Sequence, residues 1–143
     1  MPVRTATAEW KGNIGDGSGQ LKSESGAVST AYNWRSRAES GDTTNPEELI
    51  AAAHAGCFSM ALTAGLGRAG HTASRINTTA RVHFEKQEAG FAITKIELAT
   101  EAVVPGVDDA AFQEAAEAAK KGCPVSKALS ATPITLTAKL GAA

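Results

Sequence analysis

Residues 44–70 read TNPEELIAAAHAGCFSMALTAGLGRAG, and the way this stretch folds decides the architecture. Thr44 or Asn45 can cap a helix, Pro46 suits its first position, and Glu47 and Glu48 suit the positive end of its dipole. The helix is expected to run to about Ala69, with Gly70 as a left-handed terminator. Such a helix would span roughly 36 Å at 1.5 Å per residue. No Asp, Glu, Lys or Arg falls within 49–67, yet the stretch carries six Ala, three Gly, Ser, Thr and His. It is too weakly hydrophobic to insert into a bilayer by itself, so a buried helix of a soluble protein is expected. Its interior is apolar or small on every side, which implies burial all round. A chain of 143 residues has little material to wrap it. The Ala and Gly content lets another helix approach closely, so a central helix pair and a covering dimer are expected.

Outside this helix the pattern is mostly that of strands. Residues 3–10, 20–24 and 27–35 read as a β meander, broken by the Gly15–Gly19 turn cluster and by Ser25-Gly26. Residues 36–44 are polar and loop-like. After Gly70 the period becomes two, with Ile76, Thr78, Ala80, Val82 and Phe84 on one face. Ala89-Gly90 turns into a strand over 91–104, whose phase changes between Ile93 and Ile96 and predicts a bulge. A helix over 108–121 closes with Lys120, Lys121 and Gly122, a short helix follows from Pro124 to about 129, and a last strand covers 132–140. The order βββ-α-ββ-αα-β indicates one α+β domain over 1–143, without repeat or linker.

The bulk properties exclude several partners. Net charge is −1, with 20% charged and 43% hydrophobic residues, so no basic field draws nucleic acid. The N-terminus, MPVRT, lacks the apolar core of a signal peptide, which favours a cytoplasmic address.

Two cysteines carry the chemistry. In a cytoplasmic chain a permanent disulfide is unexpected, which leaves a buried thiol, a metal ligand or redox chemistry. Cys57 sits mid-helix on a face with Ile50, Ala53, His54, Met60, Ala61 and Ala64. Apolar surroundings raise a thiol pKa and leave it inert, so a cysteine acting as a small hydrophobe is as good a reading as a reactive one. To react, it needs a cation brought from outside its own helix. Cys123 opens GCPVS at 122–126 as the N-cap of the helix that Pro124 begins, with Lys120, Lys121 and Lys127 nearby; both features lower a thiol pKa. His54 lies three residues before Cys57 on the same face, but side chains leaving one helix in parallel suit neither a nucleophile pair nor a zinc site. His83 and His71 read as solvent-facing. A Cys–His hydrolase lacks an orienting carboxylate for His54.

Taken together, the strings resemble one family. TNPEELIAAAHAGCFSMAL at 44–62, GCPVS at 122–126 and AGFAITKIELATEAVVPGVD at 89–108 are similar to the OsmC/Ohr family of thiol peroxidases, and AAHAGCFSMAL is the OsmC-branch form. The resemblance covers essentially the whole chain. It implies an OsmC-like fold, antiparallel sheets wrapped around long central helices in an intertwined homodimer with active sites at the interface. It implies reduction of organic hydroperoxides, with Cys57 matching the peroxidatic and Cys123 the resolving cysteine. Arg37 stands where the family's thiolate-activating arginine lies, with Arg35 a competitor, and Glu47 matches the carboxylate that orients it. The resemblance further implies a dithiol reductant, a lipoyl group on a partner protein, and no flavin, haem, metal or other cofactor. Arginine suits the role because it stays charged and can hydrogen-bond the oxygen that gains charge as an O–O bond breaks. The attack leaves a sulfenic acid that a second thiol condenses into a disulfide.

Glu47 and Cys57 are ten residues apart, roughly 15 Å along one straight helix. Either the helix breaks, or Glu47 and Arg37 reach Cys57 from the second subunit; the latter is favoured. The rival to the peroxidase is a non-catalytic dimeric stress-protection or binding protein with inert thiols.

Overall fold

In the computed structural model, which describes residues 1–142, six strands and four helices follow one another along the chain. Chain contacts divide it into two compact units, Met1–Leu49 and Ile50–Ala143.

The first unit holds an antiparallel sheet in the order β1 (Ala6–Lys11), β2 (Ser18–Ser23), β3 (Ser29–Tyr32). The Asn13 side chain closes the β1–β2 turn, accepting from the N–H groups of Gly15 and Asp16, each at 3.0 Å. The third strand is shorter than expected, and Trp34–Ala38 forms a helical turn, α1, where the end of that strand and the start of a loop were expected. The reason is a cap. Asn33, still extended, accepts from the Ser36 N–H at 2.8 Å, so the chain turns helical at Trp34. The following loop folds back onto this turn: the Thr43 hydroxyl donates to Ser36 Oγ at 2.7 Å, and Asn45 Nδ2 donates to the Ser36 carbonyl at 2.8 Å.

Helix α2 (Pro46–Arg68) begins in the first unit and continues unbroken into the second. Asn45 is its cap, accepting from the Glu48 N–H at 2.8 Å. At the other end Gly70, at φ 88°, donates to the Gly67 carbonyl while His71 donates to that of Leu66. This is the glycine-terminated closure expected there.

In the second unit, β4 (Arg75–Gln87) and β5 (Gly90–Val103) form a long antiparallel pair. The bulge falls where the phase change placed it. Register passes from His83↔Lys95 to Phe84↔Ile93, leaving Thr94 unopposed. Helix α3 (Asp109–Gly122), capped by Asp108, and the short α4 (Pro124–Ala128) lead to β6 (Ile134–Leu140). This last strand runs parallel to β5, which corrects the all-antiparallel expectation. Two helices carry the chain back to the end of the sheet where β5 pairing begins, the connection that a parallel pair requires.

The core of this unit is built from Phe58, Leu62 and Leu66 of α2, Leu98 and Ala102 of β5, and Phe112, Ala116 and Ala119 of α3. Cys123 is part of it. Ser59 ties α2 to the sheet, donating to Thr78 Oγ1 at 2.8 Å, which in turn meets Thr100 Oγ1 at 3.0 Å.

Burial all round was expected of α2, and a single chain does not provide it. His54, Phe58, Leu62 and Leu66, four apart, are buried; Ala53, Gly56, Met60, Ala64 and Gly67 are exposed, Met60 at 75%. A Cβ added at Gly56 or Gly67 would meet nothing. One helix has only one face toward one core, and its sequence is apolar on both. By length and composition α2 would also suffice for a membrane span, more than its sequence was credited with.

Candidate active site

The candidate site residues fall into two clusters, one in each unit. In the second unit the middle of α2 presents Cys57, partly exposed, to Cys123, which is fully buried at the junction of α3 and α4. Cys123 N–H donates to the Ala119 carbonyl and closes α3, and Pro124 begins α4 at once. The reversal of direction turns the thiol back toward α2 rather than outward.

Cys57 packs against the core cluster that holds Cys123, and each thiol shifts the other's pKa, so both sequence-predicted cysteines belong to one site. Their environments differ. Burial, then the contact with Cys123, pushes the Cys57 thiol up, and the backbone of Val125 only partly offsets this. Burial also pushes Cys123 up, but hydrogen bonds from Cys57, from Ser126 backbone and side chain, and from Val125 outweigh it and lower its pKa. The two thiols are therefore shifted in opposite directions, Cys57 up and Cys123 down.

His54 shares the helix face with Cys57 but does not pair with it. Its Nε2 lies 2.7 Å from Ser126 Oγ, both side chains buried. Its Nδ1 is buried without a hydrogen-bond partner. Ser126 was missed in the sequence, although its place three residues after Cys123, in the first turn of the short helix, marks it. His83, read as solvent-facing, is instead half-buried and bonded to Glu97 across the β4–β5 ladder, with Glu85 also near. His71 is half-buried as well. Among the described residues no group of three His, Cys, Asp or Glu gathers as metal ligands do.

In the first unit Arg37 of α1 and Glu47 of α2 form a forked pair. Arg37 Nε donates to both carboxylate oxygens, at 3.1 and 3.2 Å, and Nη2 donates to Oε1 at 2.9 Å. Glu47 is 6% exposed, and its planar match to a guanidinium is one that lysine could not reproduce. Arg35 differs: it meets Glu39 at 3.9 Å, with both side chains largely exposed. Of the two candidate arginines, the structure pairs Arg37 with Glu47. Since α2 is unbroken, Glu47 and Cys57 remain about 15 Å apart along it.

The model of the family described as OsmC-like protein matches residues 39–139. The chain is 51% identical over 134 residues to Peroxiredoxin OsmC of Escherichia coli K12, covering 93% of each. Among solved structures it is similar to an organic hydroperoxide resistance protein from Elizabethkingia anophelis, at 27% identity and a TM-score of 0.76, covering 98% of this chain and 99% of that one. It is also similar to the organic hydroperoxide resistance protein OhrB of Bacillus subtilis, at 26% identity and a TM-score of 0.69, covering 96% and 98%.

Proposed function

The chain belongs to the OsmC-like protein family and is a thiol peroxidase, and from that premise we propose that it reduces organic hydroperoxides to alcohols by a Cys57–Cys123 disulfide cycle. The observation that carries this reading is the contact between the two thiols, one partly exposed on an apolar helix and one buried behind it.

The Cys57 thiolate attacks the distal oxygen of the hydroperoxide. The O–O bond breaks, the alkoxide takes a proton and leaves as alcohol, and Cys57 becomes a sulfenic acid. The Cys123 thiolate then attacks that sulfur, a disulfide forms, and hydroxide leaves and is protonated to water. A dithiol, by family resemblance a lipoyl group on a partner protein, exchanges with the disulfide and regenerates both thiols while closing its own. The apolar setting of Phe58, Met60 and Ile50 suits alkyl or lipid hydroperoxides better than hydrogen peroxide. The names of the two structural relatives agree with that substrate class.

Cys57 is pushed up by burial, so the cycle needs a cation at its sulfur. Arg37, oriented by Glu47, is the cation we assign to it. An unbroken α2 supports delivery from the second protomer of a homodimer, whose contact would also cover the exposed Gly56–Met60–Ala64 face. A single functional domain and a cytoplasmic address complete the reading.

The test adds cumene hydroperoxide to reduced protein and follows each thiol by mass spectrometry. An intramolecular disulfide is expected in the wild type, and a trapped sulfenic acid on Cys57 in Cys123→Ser. Peroxide consumption by Cys57→Ser at the wild-type rate would sink the proposal.

A further inference from the structure

The buried pair of His54 and Ser126 takes no part in the cycle as written. Histidine is expensive to bury: desolvation lowers its pKa, and one ring nitrogen is left without a partner. A hydrophobic residue would fill the same place in the 54, 58, 62, 66 stripe at less cost. The proton arithmetic of the contact says what the polar residue does.

Ser126 has one proton to give. Its hydroxyl is placed to hydrogen-bond Cys123, and its oxygen lies 2.7 Å from His54 Nε2. If that proton points to the Cys123 sulfur, the His54 contact must be a donation from Nε2–H to Ser126 Oγ. Nδ1 then carries a bare lone pair, consistent with its lack of a partner. The opposite tautomer would bury an N–H donor with nothing to receive it, the costlier orphan. An imidazolium would do the same with a full charge. The surroundings thus hold His54 neutral, in the tautomer that sends hydrogen bonds one way, from histidine to serine to cysteine.

We propose that His54 and Ser126 are positioning residues that hold the single hydroxyl proton of Ser126 on the Cys123 sulfur and so keep the resolving cysteine ready to attack. The reading rests on the resolving role assigned to Cys123. No proton is transferred along the chain: the two hydrogen bonds stabilise the thiolate before the S–S bond forms and lapse as its charge is lost. The same bonds favour Cys123 again when the disulfide is reduced, since a stabilised thiolate is the better leaving group. Resolution, not the first attack on peroxide, is therefore the step that depends on them.

The experiment separates these steps. In Cys57→Ser, Cys123 is the one thiol left, and its ionisation is followed by thiolate absorbance near 240 nm. Adding Ser126→Ala should move that midpoint to higher pH. In the two-cysteine protein, Ser126→Ala should slow the decay of the Cys57 sulfenic acid about tenfold or more, as expected for losing a hydrogen bond to a charged group. Formation of that sulfenic acid should be unchanged, and Ser126→Thr, which restores the hydroxyl, should recover the decay. His54→Gln, which keeps a donor, should lie between wild type and His54→Leu. An unmoved midpoint overturns the proposal, and so does an equal slowing of sulfenic acid formation, which would assign the pair to the peroxide pocket. Should a His54 variant fail to fold, the Ser126 variants decide. Absence of a disulfide in the peroxide-treated wild type would sink the peroxidase cycle instead, while the titration of Cys123 would still decide whether the relay exists.

Discussion

The first turn of α2 and its middle hold opposite halves of one chemical problem. At the first turn Arg37 carries a permanent positive charge that Glu47 answers with both carboxylate oxygens, accepting three hydrogen bonds. Ten residues on, Cys57 has a sulfur that must become negative and surroundings that resist it. The cation is already oriented, and the anion is not yet formed. A thiolate in apolar surroundings gains more from a positively charged donor than an exposed one does. The contrast is between a charge held in place and one that its surroundings resist. Burial raises the Cys57 pKa while hydrogen bonds lower that of Cys123, so the proposed arginine would act on the thiol whose own surroundings resist ionisation.

The strongest way to break this comparison is to remove the cation. Arg37→Ala should lower the second-order rate of Cys57 oxidation by about 100- to 1000-fold, the scale of losing one charge-stabilising donor in a closed site. Arg35→Ala, an exposed residue with a distant partner, should stay within about twofold. Stopped-flow oxidation by cumene hydroperoxide measures both, and a larger loss for Arg35→Ala would reverse the assignment.

A second test asks whose arginine it is. Cys57→Ser and Arg37→Ala are each expected to be inactive as pure dimers. If arginine crosses between protomers, unfolding and refolding an equal mixture should restore about a quarter of wild-type sites, since half the dimers are mixed and each has one complete site. If arginine acts within its own chain, mixing should restore none.

Much of this was legible in the sequence, and the part that was not has a physical cause. The ends of α2 were plain because caps are local: Asn45, Pro46 and Gly70 act within a few residues. The Thr94 bulge was plain because a period-two pattern shows a one-residue slip. The pairing of Cys57 with Cys123 came from a resemblance, since spacing alone left an inert thiol as good a reading. The parallel β6 and the His54–Ser126 bond were hidden because both depend on how α3 and α4 return the chain, a long-range property. Helix α1 was hidden because its cap, Asn33, lies in a run of β-favouring residues. The exposed face of α2 was misjudged for a different reason. Its composition is apolar on both faces, and one chain covers only one of them.

The finest test concerns Glu47 alone. Glu47→Gln keeps the shape and one acceptor oxygen but removes the charge, so one arm of the fork is lost and the Glu47 hold on Arg37 loosens. Glu47 is almost fully buried while Arg37 is about a third exposed, so water can take over part of the guanidinium's solvation. The stability loss should therefore fall below the roughly 3–5 kcal/mol seen when a fully buried pair is broken. If Glu47 acts by aiming arginine, peroxide oxidation of Cys57 should slow about tenfold, on the scale of one charged hydrogen bond, and less than in Arg37→Ala. Thermal melting and the oxidation rate, measured on the same samples, separate the two effects. A variant that melts lower but oxidises at the wild-type rate would show that the carboxylate merely braces α1 against the start of α2, and the comparison drawn above would lose its first half.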